Sequence, residues 1–151
     1  MRAIYISMLR MLLMWTQLMR SNKLALLKRS HFRRRFHLST LDRAILDRKG
    51  IEQITLDAET FVRKHLYYPQ TPSRVPYNGH PVFTAQHATA TCCRECLFKW
   101  HRIPPFRNLT EPEVAFVVDL IVRWIQKDAY LPRIDPKKER RFEAVTLATY
   151  I

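Results

Sequence analysis

From Ser39 onward, apolar positions recur with the 3.6-residue period of a helix rather than the two-residue alternation of a strand. Ser39 followed three residues later by Asp42 has the form of a capping box, with Asp in place of the longer Glu. It opens a helix through Leu41, Ile45 and Leu46 that Gly50 can end. A second helix starts at once. Ile51, Ile54, Ala58, Phe61, Val62 and His65 share one stripe, with Glu52, Asp57, Glu59 and Arg63 outside it, as expected of a segment that packs. Prolines 69, 72, 76 and 81 then impose an extended, irregular stretch from Tyr68 to about Val82. Thr110 with Glu113 makes a second capping box, and residues 114–125 are apolar almost all round, including Phe116, Leu120, Ile121 and Trp124. Such a helix belongs at the centre of a core or against another chain, so a homodimer through residues 114–125 is one expectation. Pro132 closes this helix, and Pro136 to Arg141 reads as a charged tail.

The first thirty residues have a different character. Ile4, Met8, Met11, Leu12, Trp15, Leu18 and Met19 follow helical spacing with only basic charges among them, which predicts a basic amphipathic helix. The apolar run from Met11 to Trp15 is too short to span a bilayer, which takes about 20 residues. A surface anchor, a targeting segment and an upstream extension compete here. The extension is preferred, because Met8, Met11, Met14 and Met19 all lie in the same frame. The expected organisation is an extension over 1–26, one helical Cys/His domain over 27–130 and a tail over 131–151. Its class is mainly α, with an irregular Pro-rich loop leading into a helix that carries the metal site.

Composition narrows the picture further. The chain has 151 residues, enough for one domain with a core, and 47% of them are apolar, which argues against disorder. Only two glycines occur, which disfavours a turn-rich β architecture. The formal charge of +13 is concentrated at the N-terminal end: Met1 to Leu41 holds nine Lys or Arg and no acid. A field of this kind attracts nucleic acid or another anionic surface through counterion release. Arg33, Arg34 and Arg35 are the candidate contacts to nucleic acid or an acidic partner, against the plainer reading of a solvated face.

All three cysteines and three of the six histidines fall between Gly79 and His101. Thiolate and imidazole donors gathered this densely match the demands of a tetrahedral zinc or iron site, with zinc preferred because nothing calls for redox chemistry. The candidate ligands are His87, Cys92, Cys93, Cys96 and His101, with His80 as a further loop donor. If a helix starts near Cys92 with Thr91 as its N-cap, the three sulfurs lie within roughly a 100° arc. The fourth ligand then comes from His87 or His80. If the chain instead turns tightly between Cys93 and Cys96, that pair can bind together with His87 and His101, leaving Cys92 as packing. The plainer reading is three buried cysteines acting as small hydrophobes. An odd cysteine count with an adjacent pair fits a reducing compartment, so a cytoplasmic location is expected.

Two other chemistries use the same residues. A thiolate in the first turn of a helix, with His87 as base and Arg94 as electrostatic help, would be a nucleophile, but no acidic residue is visible to orient the histidine. Cys93 and Cys96 form a Cys-x-x-Cys pair, but no strand precedes it as a thioredoxin-like fold requires.

The run from about Leu27 to Gln126 resembles the small bacterial proteins grouped as domain of unknown function 4186. The resemblance rests on Ser30-x-Phe32-Arg33-x-Arg35-Phe36-His37-Leu38, on Gly79-His80-Pro81-Val82-Phe83, on Ala85-Gln86-His87-Ala88-Thr89-Ala90-Thr91-Cys92-Cys93-Arg94, and on Cys96-Leu97 with Lys99-Trp100-His101. Where those proteins carry a longer Gly- and Asn-containing loop before the Gly-His-Pro step, this chain has the shorter stretch from Tyr68 to Pro76. The resemblance implies a bacterial or phage source and supplies no activity. Two function classes follow from the residues. One is a binding module stapled by a structural zinc. The other is a metal-dependent hydrolase with an open zinc position and His80, His37 or Glu95 as proton carrier.

Overall fold

A computed structural model describes residues 22–69 and 74–131, together with Arg10 and Met14. Most of the expected N-terminal helix, Pro132 and the C-terminal tail lie outside the described residues. Ser39 and Asp42 form the predicted reciprocal cap: Asp42 N donates to Ser39 Oγ at 3.1 Å and Ser39 N to Asp42 Oδ2 at 3.1 Å. They start α1, Thr40–Leu66, which breaks at Gly50 where φ is 78° and ψ 160°. That backbone region is open essentially to glycine alone, so the two helices read from the sequence are the two halves of α1.

Residues 22–27 are also helical, and three helices follow α1: α2, Pro81–Ala88; α3, Arg94–His101; and α4, Glu111–Ala129. Thr110 and Glu113 cap α4 as the sequence predicts, with Thr110 N donating to Glu113 Oε2 at 2.8 Å. The short 3-10 turn Arg33–Arg35 precedes α1 and packs on α2. No strand occurs among the described residues, and the fold is mainly α.

The helix α4 lies against both α1 and α2. Ile54, Ala58, Val62 and Leu66 of α1 meet Val114, Val117, Ile121 and Ile125 of α4, with Val82 and Ala85 of α2 and Leu97 of α3 filling the same core. Burial of each valine, leucine or isoleucine side chain contributes roughly 1.5–3 kcal/mol, before the entropy of ordering it is subtracted. A smaller cluster of Leu24, Leu27, Ala90 and Leu120 joins the chain before α1 to the turn between α2 and α3. Among the described residues, no helix is long and apolar enough to cross a membrane.

Candidate metal centre

The turn between α2 and α3 sets the cysteines in place. Thr89 and Thr91 are fully buried, and their hydroxyls meet at 2.9 Å. Gln86 Nε2 donates to Thr91 O at 3.1 Å, and Ala90 between them adopts φ of 56°. A buried alanine in the left-handed region is held there by its surroundings at a cost of about 1 kcal/mol. The chain therefore leaves α2 in a fixed direction and enters α3 two residues later than the sequence predicts. Cys93, not Thr91, is the N-cap, and its Sγ accepts from Cys96 N at 3.3 Å. Thr91 is lost as a cap because its hydroxyl already bonds Thr89.

This geometry gathers the sulfurs of Cys92, Cys93 and Cys96 within 4.8 Å of one another, so the three cysteines could hold a metal ion. Cys92 and Cys96 lie 3.7 Å apart, Sγ to Sγ. Cys93 is exposed, and Cys92 and Cys96 are half-buried. The sequence does not reveal the cation beside them. Arg33 is buried, donating from Nη2 to Cys96 Sγ at 3.1 Å and from Nη1 to Cys92 Sγ at 3.7 Å and His87 O at 2.6 Å. Its place in the Ser30-x-Phe32-Arg33 run is the one sequence signal that singles it out, since an Arg triplet looks uniformly exposed.

The thiol acidities diverge. The hydrogen bond with Cys96, assisted by Arg33, draws Cys92 down to about 7 against the effect of burial. Cys96 moves up, because a thiolate at Cys92 keeps the proton on its neighbour and burial disfavours a second charge. Burial also pushes Cys93 up. Without a metal, Cys92 is therefore the thiol that ionises first, beside the Arg33 guanidinium.

The histidines do not join the thiol group. His87 lies on α2 rather than in a loop, its ring stacked on Tyr77 at 4.2 Å and also against Phe36 at 5.5 Å. Its Nε2 meets Val75 O at 3.2 Å and Pro76 O at 3.1 Å. His101 Nε2 meets Thr89 O at 2.8 Å. Carbonyls only accept, so in both rings Nε2 carries the proton and Nδ1 the lone pair. In His101 that Nδ1 is buried without a partner, and burial holds the ring down to about 4, neutral at physiological pH. His80 uses both nitrogens elsewhere: Nδ1 accepts from Val82 N as the cap of α2, and Nε2 lies 3.1 Å from Asp57 Oδ2. His37 Nδ1 pairs with Asp128 Oδ1 at 2.9 Å, and Glu95 is exposed.

Arg94, expected beside a nucleophilic thiol, instead points into a cage of carbonyls. Its Nη1 donates to Leu66 O at 2.8 Å and Tyr67 O at 3.3 Å, and its Nη2 to Pro104 O at 2.5 Å and Arg107 O at 2.7 Å. Arg34 and Arg35 remain exposed, with the Arg35 guanidinium 5.1 Å from the centre of the Phe32 ring.

The chain belongs to the family described as domain of unknown function (DUF4186), whose pattern it matches over residues 21–126. All three cysteines, Arg33, His87 and His101 lie inside that span. No solved structure matches the chain.

Proposed function

We propose that this protein is a small zinc-binding module in which Cys92, Cys93 and Cys96 supply three thiolates, and that the metal staples the domain for an anionic partner. The observation that carries the reading is the convergence of three sulfurs at the start of α3. The donor chemistry fits: thiolates are soft ligands that select zinc over hard cations. The charge fits as well. Three thiolates around a divalent ion leave one net negative charge, and Arg33 supplies one positive charge at hydrogen-bond distance. The staple would tie the 3-10 turn to the α2–α3 corner through Arg33.

The fourth position distinguishes two versions of this reading. In the preferred one, His101 Nδ1 fills it after a local adjustment, because that atom is a buried lone pair with no partner and its Nε2 is already anchored to a carbonyl. An imidazole held through its far nitrogen is the usual arrangement of a metal-ligating histidine. In the second, only the three thiolates bind and water keeps the fourth position, as a hydrolase requires. That version is favoured by the single fact that three donors gather; of the proton carriers considered for it, His80 and His37 are paired with Asp57 and Asp128, and Glu95 is exposed.

Cobalt(II) titration of the full chain tests the proposal. One equivalent should produce intense thiolate-to-metal charge-transfer absorption that Cys93→Ser and Cys96→Ser each diminish and that zinc displaces. Absence of that band, together with no stoichiometric zinc in protein purified without chelators, sinks the metal reading. A change in the visible cobalt bands on His101→Ala identifies the nitrogen ligand, whereas identical bands place water there. For the anionic partner, binding of Arg34 and Arg35 to arbitrary duplex DNA should weaken steeply with salt. No binding at low ionic strength rejects nucleic acid as that partner.

A further inference from the structure

A second feature of the fold is independent of the thiols. Between the segment before α1 and the last turns of α4 lies a cavity of about 260 Å³. Its walls are apolar: Leu24, Leu27, Phe36, Ala88 and Trp124 face it. Its rim is cationic. Lys28, Arg34 and Lys127 line the opening, all three are exposed, and the side chain of none of them has a hydrogen bond or ion pair among the described residues. The one carboxylate at the edge, Asp128, is already committed. It accepts from Leu38 N at 2.8 Å, pairs with His37 at 2.9 Å and lies 3.8 Å from Arg43 Nη2. The local charge is therefore strongly positive over a hydrocarbon floor.

We infer that this cavity binds a small amphipathic anion, a carboxylate with an apolar body of about eight to nine heavy atoms, whose headgroup sits among Lys28, Arg34 and Lys127. The size follows from the volume, at ~30 Å³ for each water-sized group. The headgroup follows from three unpaired cations at one mouth, an arrangement that repels cations and leaves a neutral ligand without electrostatic gain. A nucleobase suits the cavity less well. The polar groups that could read its edges, His37 and Asp128, are turned to each other, the leucines offer no hydrogen bonds, and Trp124 offers a single indole N–H donor. The Arg33 guanidinium is taken up by His87 O and the two sulfurs, so it adds a positive field at the cavity wall rather than a direct contact. The inference does not depend on a metal: the pocket stands whether or not the cysteines bind one.

Isothermal titration of the full chain with octanoate is the test, using Trp124 fluorescence as a second readout. Octanoate should bind saturably at one site and perturb the fluorescence, and Trp124→Phe should abolish that perturbation. Hexanoate should bind about tenfold more weakly, since each buried methylene is worth roughly a factor of three to four. Chains longer than the cavity should gain nothing further. Lys28→Glu and Lys127→Glu, both at exposed positions, should each weaken octanoate about threefold to fivefold and flatten its salt dependence. Octanol binding as tightly as octanoate would overturn the anion assignment. Absence of octanoate binding to the full chain would overturn the pocket itself, whether because a terminal segment fills it or because it does not form.

Discussion

Arg33 and Arg94 are both buried cations near the cysteine cluster, and neither forms a salt bridge with a carboxylate among the described residues. Their surroundings differ in kind. Arg94 bonds four main-chain carbonyls, from the end of α1 and from the chain between α3 and α4. Those acceptors are neutral dipoles that no pH change or ligand alters, so the contact is a fixed clamp. Arg33 bonds one carbonyl and two sulfurs whose charge depends on protons and metal. The strength of that contact is conditional. One residue type thus serves as permanent architecture in one place and as counter-charge to a chemical site in the other.

The largest expected effect comes from removing the clamp. Arg94→Leu leaves the carbonyls of Leu66, Tyr67, Pro104 and Arg107 without their donor and should cost on the order of 4 kcal/mol in urea denaturation, a large share of a small domain's stability. A loss below about 1 kcal/mol would mean that water replaces the arginine and that the clamp is not structural.

Arg33→Met should be milder in stability, about 2 kcal/mol, but should also weaken cobalt binding roughly tenfold, as expected for a group that supports ligands. Gly50→Ala provides the control. It forces alanine to a φ of 78° and should also cost about 2 kcal/mol while leaving cobalt affinity unchanged. Equal metal affinities in the two variants would remove the distinction between the arginines.

A smaller effect lies beside the clamp. Arg107, whose carbonyl Arg94 holds, pairs with Glu113 at 2.8 Å, and that hydrogen bond draws the Glu113 carboxyl down to about 2 against burial. A depressed folded value means the stabilisation is fully present above the ordinary carboxylate value of about 4.5 and fades as pH falls toward about 2. Thermal melts should therefore drop across that window. Glu113→Gln should flatten the drop and cost roughly 1 kcal/mol at neutral pH through the weakened cap. An unchanged acid profile in this variant would show that other carboxylates set it.

Much of this was legible in the chain itself. The two capping boxes, the break at Gly50 and the buried stripes of α1 and α4 are decided by neighbours three or four residues apart, so spacing reveals them. The clustering of cysteines was equally visible, because they fall within five residues. The helix α2 was not. Pro81 looked like a breaker although proline suits a first helical turn, and Val82 and Thr84 to Ala88 are all buried, so no amphipathic stripe marks the segment. What only the tertiary structure decided is which groups face the sulfurs. Arg33 reaches His87, Cys92 and Cys96 across 54, 59 and 63 residues, and His101 and His87 give their Nε2 protons to carbonyls 11 to 12 residues away. Local periodicity carries no record of such partners, because they are selected by packing one element on another and by the need to satisfy every buried polar atom once the elements meet.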